Sequence, residues 1–211
     1  MSRFLSSKFA KVLLFATCLA PALWLGWQAL HNDLGANPIE TITHFTGTAT
    51  LSFLLITLAV TPTRKLLRQP NLIRFRRMLG LFAFFYGCLH MLTYVWLDQF
   101  FDWRSMIKDI YKRRFITAGL AAFTLMIPLA VTSTAGWIRR LGGKRWQRLH
   151  RLIYLSAAAG VIHYYWLVKS DVRRPLLFAA VLTALLLYRL FAWKRKQSGQ
   201  GAERLITAEQ A

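Results

Sequence analysis

Six runs of apolar residues, at about 10–30, 45–61, 78–97, 115–135, 149–168 and 175–193, fill most of the 211-residue chain and are separated by short basic stretches. A helix needs about 20 such residues, each rising about 1.5 Å, to cross the hydrocarbon of a bilayer. Runs of this length in succession make the bilayer the main solvent, and 55% hydrophobic residues with eight tryptophans fall outside a water-soluble composition. The expected fold is all-α: an integral membrane bundle of about six transmembrane helices in one domain over 1–196, then a polar, mobile tail at 197–211. The first run follows Arg3, Lys8 and Lys11 as in a signal peptide. Trp24 and Trp27, however, stand where small residues would precede a cleavage point, so it is read as a retained span.

A net charge of +20 invites comparison with nucleic-acid-binding proteins, but the cations lie between the apolar runs and near the C-terminus, and no soluble basic domain remains to hold a duplex. Their distribution reports topology instead. With the N-terminus inside, the segments 1–11, 64–77, 139–151 and 194–204 carry nineteen Lys and Arg, against eight on the other side, where Asp33, Glu40, Asp98, Asp102, Asp109 and Asp171 also lie. Lys and Arg are retained on the cytoplasmic side of short loops, which predicts both termini in the cytoplasm. Cys18 and Cys88 lie in separate apolar runs with no CxxC or CxxCH spacing and are read as packing residues.

An ionisable side chain inside a membrane span is costly enough to require a partner, and His90 and His163 lie within the third and fifth runs. Both of those runs lead outward, and the two histidines fall roughly 10 Å and 8 Å below the same periplasmic edge. Two imidazoles on different helices at one depth can supply both axial ligands of a haem b iron standing between them. Each is preceded by a glycine, Gly87 in GCLH and Gly160 in GVIH, so a flat macrocycle could approach the backbone there. The competing explanations are interhelical hydrogen bonds to Ser, Thr or Tyr for the histidines, and close helix packing for the glycines.

His150 lies 13 residues before His163, roughly 20 Å away toward the cytoplasmic end, where Arg76 and Arg77 rather than a histidine stand on the third run. It is a candidate metal ligand, a proton acceptor for a quinol, part of a flavin site, or a plain interfacial histidine. Arg76 and Arg77 in RFRRMLG are candidates for holding a flavin phosphate or a quinone headgroup. His44, in HFTG near the outer end of the second run, is a candidate partner for a haem propionate. Tyr94, Trp96, Tyr164, Tyr165 and Trp166 form an interfacial aromatic belt.

The stretches HFTG at 44–47, RRMLGL at 76–81, GCLH at 87–90, VTST at 131–134, WQRLHRLIYL at 146–155 and IHYYW at 162–166 occur in an order that resembles the MsrQ family, formerly YedZ. The resemblance runs from about residue 10 to 193 and places the chain with the ferric-reductase-like transmembrane group of bacterial inner membranes. It implies haem b and FMN as cofactors, with the family's histidines falling on His90, His150 and His163. It further implies electrons taken from the quinone pool or a cytoplasmic flavin reductase and delivered to MsrP, a periplasmic molybdenum enzyme that reduces methionine sulfoxide and forms a heterodimer with this subunit. No substrate chemistry of the chain's own is expected. Larger relatives carry two histidines on each of two helices and a nucleotide-binding domain. This chain lacks the fourth histidine and that domain, which argues against two-haem transfer and direct NADPH oxidation. Two alternatives stay open: a cytochrome b quinol dehydrogenase subunit serving another acceptor, and a haem-free transporter coupling protons through its histidines.

Overall fold

A computed structural model describes residues 7–209, apart from the side chains of 196 and 198–209. Its elements are α1 (Lys8–Leu30), α2 (Pro38–Leu66), a 3-10 turn (Pro70–Phe75) leading into α3 (Arg76–Leu92), α4 (Trp103–Lys112), α5 (Arg114–Val131), α6 (Ala135–Leu141), α7 (Gly143–Leu149), α8 (Leu152–Leu167) and α9 (Arg173–Glu209). The helical backbone of α9 thus continues through 197–209, where the tail was expected; residues 210 and 211 lie outside the described ones.

Among the described residues, five helical segments are long and apolar enough to span a membrane: α1, α2, the stretch Pro70–Asp98 that contains the 3-10 turn and α3, α5, and α9 as far as Arg195. The fifth expected span is α8, only 16 residues long because the chain breaks at His150 and Arg151. At about 1.5 Å per residue it covers roughly 24 Å, less than the hydrocarbon thickness.

Local chemistry sets these boundaries. Ser7 caps α1 by accepting the Ala10 N–H at 3.1 Å. Asn37 caps α2, whose first turn carries Pro38 and Glu40 and whose last turn carries Arg64 and Lys65, each charge suited to its end of the helix dipole. The basic stretch between the third and fourth runs contains the amphipathic α4, capped by Asp102. Met106 and Asp109 turn inward there, while Trp103, Ile107 and Tyr111 are exposed. Asp109 receives the Tyr94 hydroxyl at 3.3 Å and pairs with Arg113 at 3.1 Å, tying α4 to the end of α3.

The core is built around α2. Leu51, Leu54, Leu55 and Leu58 meet Ala83 of α3, Met126 and Leu129 of α5, and Ile153, Ala157 and Val161 of α8. Within it α2 lies along α3, and α5 along α8. Large apolar side chains on the outer faces, such as Phe9, Trp24, Leu177 and Phe191, are exposed, as lipid contact requires.

α1 joins the bundle at a second cluster that includes Cys18, Phe82 and the fully buried Tyr86. Pro21 interrupts α1, and the Tyr86 hydroxyl enters the interrupted ladder, accepting the Ala22 N–H at 3.1 Å and donating to the Cys18 carbonyl at 2.8 Å. Tyr86→Phe leaves that N–H and C=O facing each other without the bridge. It is expected to destabilise the protein by about 1–3 kcal/mol, seen as a lower thermal midpoint in detergent; an unchanged midpoint would count against the bridge as a stabilising contact.

Candidate functional site: two imidazoles between two helix pairs

His90 of α3 and His163 of α8 face each other across the bundle, their ring centroids 6.0 Å apart and their planes at 78°. Each is positioned by the helix lying beside its own. The His90 Nδ1–H donates to the Thr43 carbonyl of α2 at 3.0 Å, and the His163 Nδ1–H to the Phe115 carbonyl of α5 at 2.6 Å. A carbonyl only accepts, so both Nδ1 atoms carry the proton and both Nε2 atoms keep the lone pair that binds a metal. Thr46 gives its own hydroxyl proton to the Ile42 carbonyl at 2.7 Å, leaving its oxygen as a second, longer acceptor for His90 at 3.4 Å.

The same backbone device serves both rings. Four residues beyond Thr43 stands Gly47, and four beyond Phe115 stands Gly119. A Cβ on Gly47 would lie 2.9 Å from His90 Cε1, and one on Gly119 would lie 2.7 Å from His163 Nδ1. In each case a glycine one helical turn beyond the accepting carbonyl lets the ring lie against the backbone. Gly87 and Gly160, singled out in the sequence, lie elsewhere: Gly87 faces Phe123 and Thr50, and Gly160 faces Leu51, at ordinary packing distances. The α3 backbone then widens into a π-helix over Thr93–Asp98, immediately beyond the histidine turn. Such π segments are frequent at functional sites.

The remaining candidates are separate from this pair. His44 is half exposed and lies 3.7 Å from Glu40, one turn back on α2. His150 sits at the other end of the bundle, in the turn after α7. Its ring stacks on Trp146 at 3.8 Å, and its Nε2 lies 3.1 Å from the Thr132 hydroxyl. Thr132 spends its proton on the Pro128 carbonyl at 2.6 Å, so His150 must donate through Nε2 and hold its lone pair on Nδ1. The Trp146 indole N–H fastens the same turn to the Thr132 carbonyl at 2.9 Å. Arg76 lies within electrostatic range of His150 and is partly buried, whereas Arg77 is exposed. Arg189 of α9, absent from the sequence-based candidates, reaches into this end of the bundle.

Among the described residues no cluster of three or more His, Cys, Asp or Glu forms a protein-only metal cage. Two opposed imidazoles with free Nε2 atoms suit instead an iron whose other four positions a porphyrin supplies. Residues 45–161 of this helical membrane bundle match the family described as the ferric reductase like transmembrane component, which makes the chain a ferric-reductase-like transmembrane protein.

Among curated proteins, the chain is 54% identical over 189 residues to the protein-methionine-sulfoxide reductase heme-binding subunit MsrQ of Herminiimonas arsenicoxydans, covering 88% of this chain and 87% of that one. It is 52% identical over 194 residues to the MsrQ of Rhodospirillum rubrum, covering 92% and 93% of the two chains. The MsrQ of Caulobacter vibrioides is 50% identical over 186 residues, covering 88% and 89%. The chain belongs to the MsrQ family, a family of multi-pass bacterial inner-membrane proteins.

Proposed function

We propose that this chain is the haem-binding electron-transfer subunit of a protein-methionine-sulfoxide reductase system, carrying haem b between His90 and His163. The observation that supports it most is the opposed pair of imidazoles, each with Nδ1 on a backbone carbonyl and Nε2 free. Haem b would supply a one-electron ferric/ferrous couple at that position. The residues around it hold the two rings in one tautomer, admit them against Gly47 and Gly119, and keep water away with the leucines and alanines of the core. A dithionite-reduced minus oxidised visible spectrum with a pyridine haem assay tests the reading: b-type bands are expected, and a colourless protein would overturn it.

With both termini in the cytoplasm, as the basic segments argue, this pair lies toward the periplasmic face and the His150–Arg76 end toward the cytoplasm. Electrons from the quinone pool or a cytoplasmic flavin reductase enter at the latter end, where His150 takes a proton or contacts the donor and Arg76 and Arg77 bind a flavin phosphate such as that of FMN, or a quinone headgroup. They leave for an MsrP-like periplasmic catalytic subunit, two per methionine sulfoxide reduced, with two protons taken up and water released at that partner. His44, beside the carbonyl that holds His90, is the proposed partner of a haem propionate.

The periplasmic dock is assigned to Asp98–Arg114, which folds back on the α3 end through the Asp109 contacts, and to Lys169–Arg174. Reversing several charges there is expected to slow electron delivery to the catalytic partner by about tenfold or more, as loss of steering charge does, with the haem spectrum intact; unchanged delivery would remove these segments from the dock. His150→Ala is expected to leave dithionite-reducible haem in place while reduction by the physiological donor falls. Wholesale haem loss in that variant would instead make His150 an iron ligand.

A further inference from the structure

α9 carries one charge inside its apolar span, Arg189, and the side chain turns inward rather than toward lipid. Pro62 lies four residues beyond Leu58 on α2 and has no N–H, so the Leu58 carbonyl loses its helical donor. Arg189 Nη2 replaces it at 2.8 Å, while Nη1 donates to the Tyr154 hydroxyl at 2.8 Å and the guanidinium lies 5.2 Å above the Tyr154 ring. Nε, the remaining donor edge, is buried with no hydrogen-bond partner. Tyr154 accepts from Arg189 and so keeps its own O–H to donate. On α2, three residues from Leu58, the Thr61 hydroxyl is also buried and unpaired.

A second guanidinium, that of Arg76, lies within electrostatic range of both Arg189 and Tyr154. Two cations within electrostatic range of each other in a low-dielectric bundle repel and are costly without a counter-ion. None of the side chains described at this end is a carboxylate, Glu203 and Glu209 lying beyond the apolar span of α9. Asp33, Glu40, Asp98, Asp102, Asp109 and Asp171 all belong to the opposite ends of the helices, and the ion pairs among the described residues are formed there. Arg189 stands about four residues, or roughly 6 Å, inside the end of its span, within reach of the headgroup layer.

We propose that Arg76 and Arg189, with the Tyr154 hydroxyl, form a binding site for one phosphate group carried on a membrane-associated molecule. A guanidinium fork with one free edge, a second guanidinium and a free hydroxyl proton match the several acceptor oxygens of a phosphate. The inference rests on the reading above only in the role of Arg76; it adds Arg189 and Tyr154, and it holds whether or not haem sits between His90 and His163. The phosphate has two sources, an anionic phospholipid headgroup or a flavin mononucleotide.

Wild type, Arg189→Gln, Arg76→Gln and the exposed-charge control Arg145→Gln are purified through neutral detergent. Bound phosphorus and flavin are counted by native mass spectrometry and a flavin assay, with haem read separately by its spectrum. Wild type and Arg145→Gln are expected to keep one phosphate-bearing molecule, and the two cluster variants to retain it at least about tenfold less well, the worth of one charge-assisted hydrogen bond. The lipid source is shown by a thermal midpoint that rises when phosphatidylglycerol replaces phosphatidylcholine in nanodiscs, in wild type but not in Arg189→Gln. The flavin source is shown by one FMN per chain that Arg189→Gln loses with no lipid effect. If Arg189→Gln does not fold, Arg189→Lys keeps the charge without the fork and is expected to give intermediate retention. Wild type that holds no phosphate and does not respond to phosphatidylglycerol overturns the site, as does equal retention in all four proteins. Missing b-type bands alongside normal phosphate retention would overturn the haem reading and leave this one standing.

Discussion

His90→Ala and His163→Ala are each expected to lose the proposed haem between the two histidines by more than about 100-fold in retention, since removing only the hydrogen-bond partner of a metal ligand already costs about 10–100-fold. Each substitution would take one of the two proposed iron ligands and leave the other imidazole opposite a gap, its Nδ1 still on Thr43 or Phe115. Pyridine haem content and low-temperature spectra of the purified variants decide it. Full haem with an unaltered spectrum in either variant would refute the ligand pair. Imidazole added to the medium should partly restore the low-spin spectrum, because the surviving histidine and its helix pair are intact.

Gly119→Ala and Gly47→Ala are expected to come next in size, with Gly119→Ala the harsher. The new Cβ would lie 2.7 Å, 2.9 Å and 3.2 Å from three atoms of the His163 ring, against 2.9 Å, 3.1 Å and 3.6 Å for Gly47 and His90. Both rings are already anchored to a carbonyl of the same helix, so they cannot retreat without giving up that bond. Haem affinity should fall by about 10–100-fold, as for other losses of ligand orientation. Remaining haem should show a changed low-spin electron paramagnetic resonance signal and a shifted midpoint potential. Alanine favours helix over glycine by about 1 kcal/mol, so the helix itself is not weakened, and an unperturbed spectrum in Gly119→Ala would show that the ring does not depend on this cradle.

The histidine pair was legible in the sequence because lipid leaves a buried imidazole few explanations, and because apolar run lengths set relative depth. The glycines were harder. GCLH and GVIH put a glycine on the same helix as each histidine, but the contacts that admit the rings come from neighbouring helices, at Gly47 and Gly119, and no single-helix pattern shows which backbone a ring will rest on. Gly47 at least lies in HFTG; Gly119 has no motif around it. Arg189 had a readable signal, being a lone cation within an apolar run, but positive-inside counting looks only between the runs. The α4 helix was hidden because its side chains alternate polar and apolar with a helical period over only ten residues, and a short amphipathic stretch between two spans reads equally as a loop.

Each of the two helix pairs holds a complete half of the histidine site: α2 with α3 owns one imidazole, its carbonyl and its glycine, and α5 with α8 owns the other set. Neither half waits on the other for its geometry, so at the histidines an iron would be the link across the seam, which elsewhere is closed by side-chain packing and by Arg189, whose guanidinium joins the Leu58 carbonyl of α2 to the Tyr154 hydroxyl of α8. Haem binding would then act as a cross-link between two preassembled units, and its binding free energy would appear as cohesion between them rather than within them. Apoprotein should accordingly show faster amide exchange along the α2–α8 and α3–α5 boundaries, with protection inside each pair nearly unchanged, and adding haem should tighten the boundary alone.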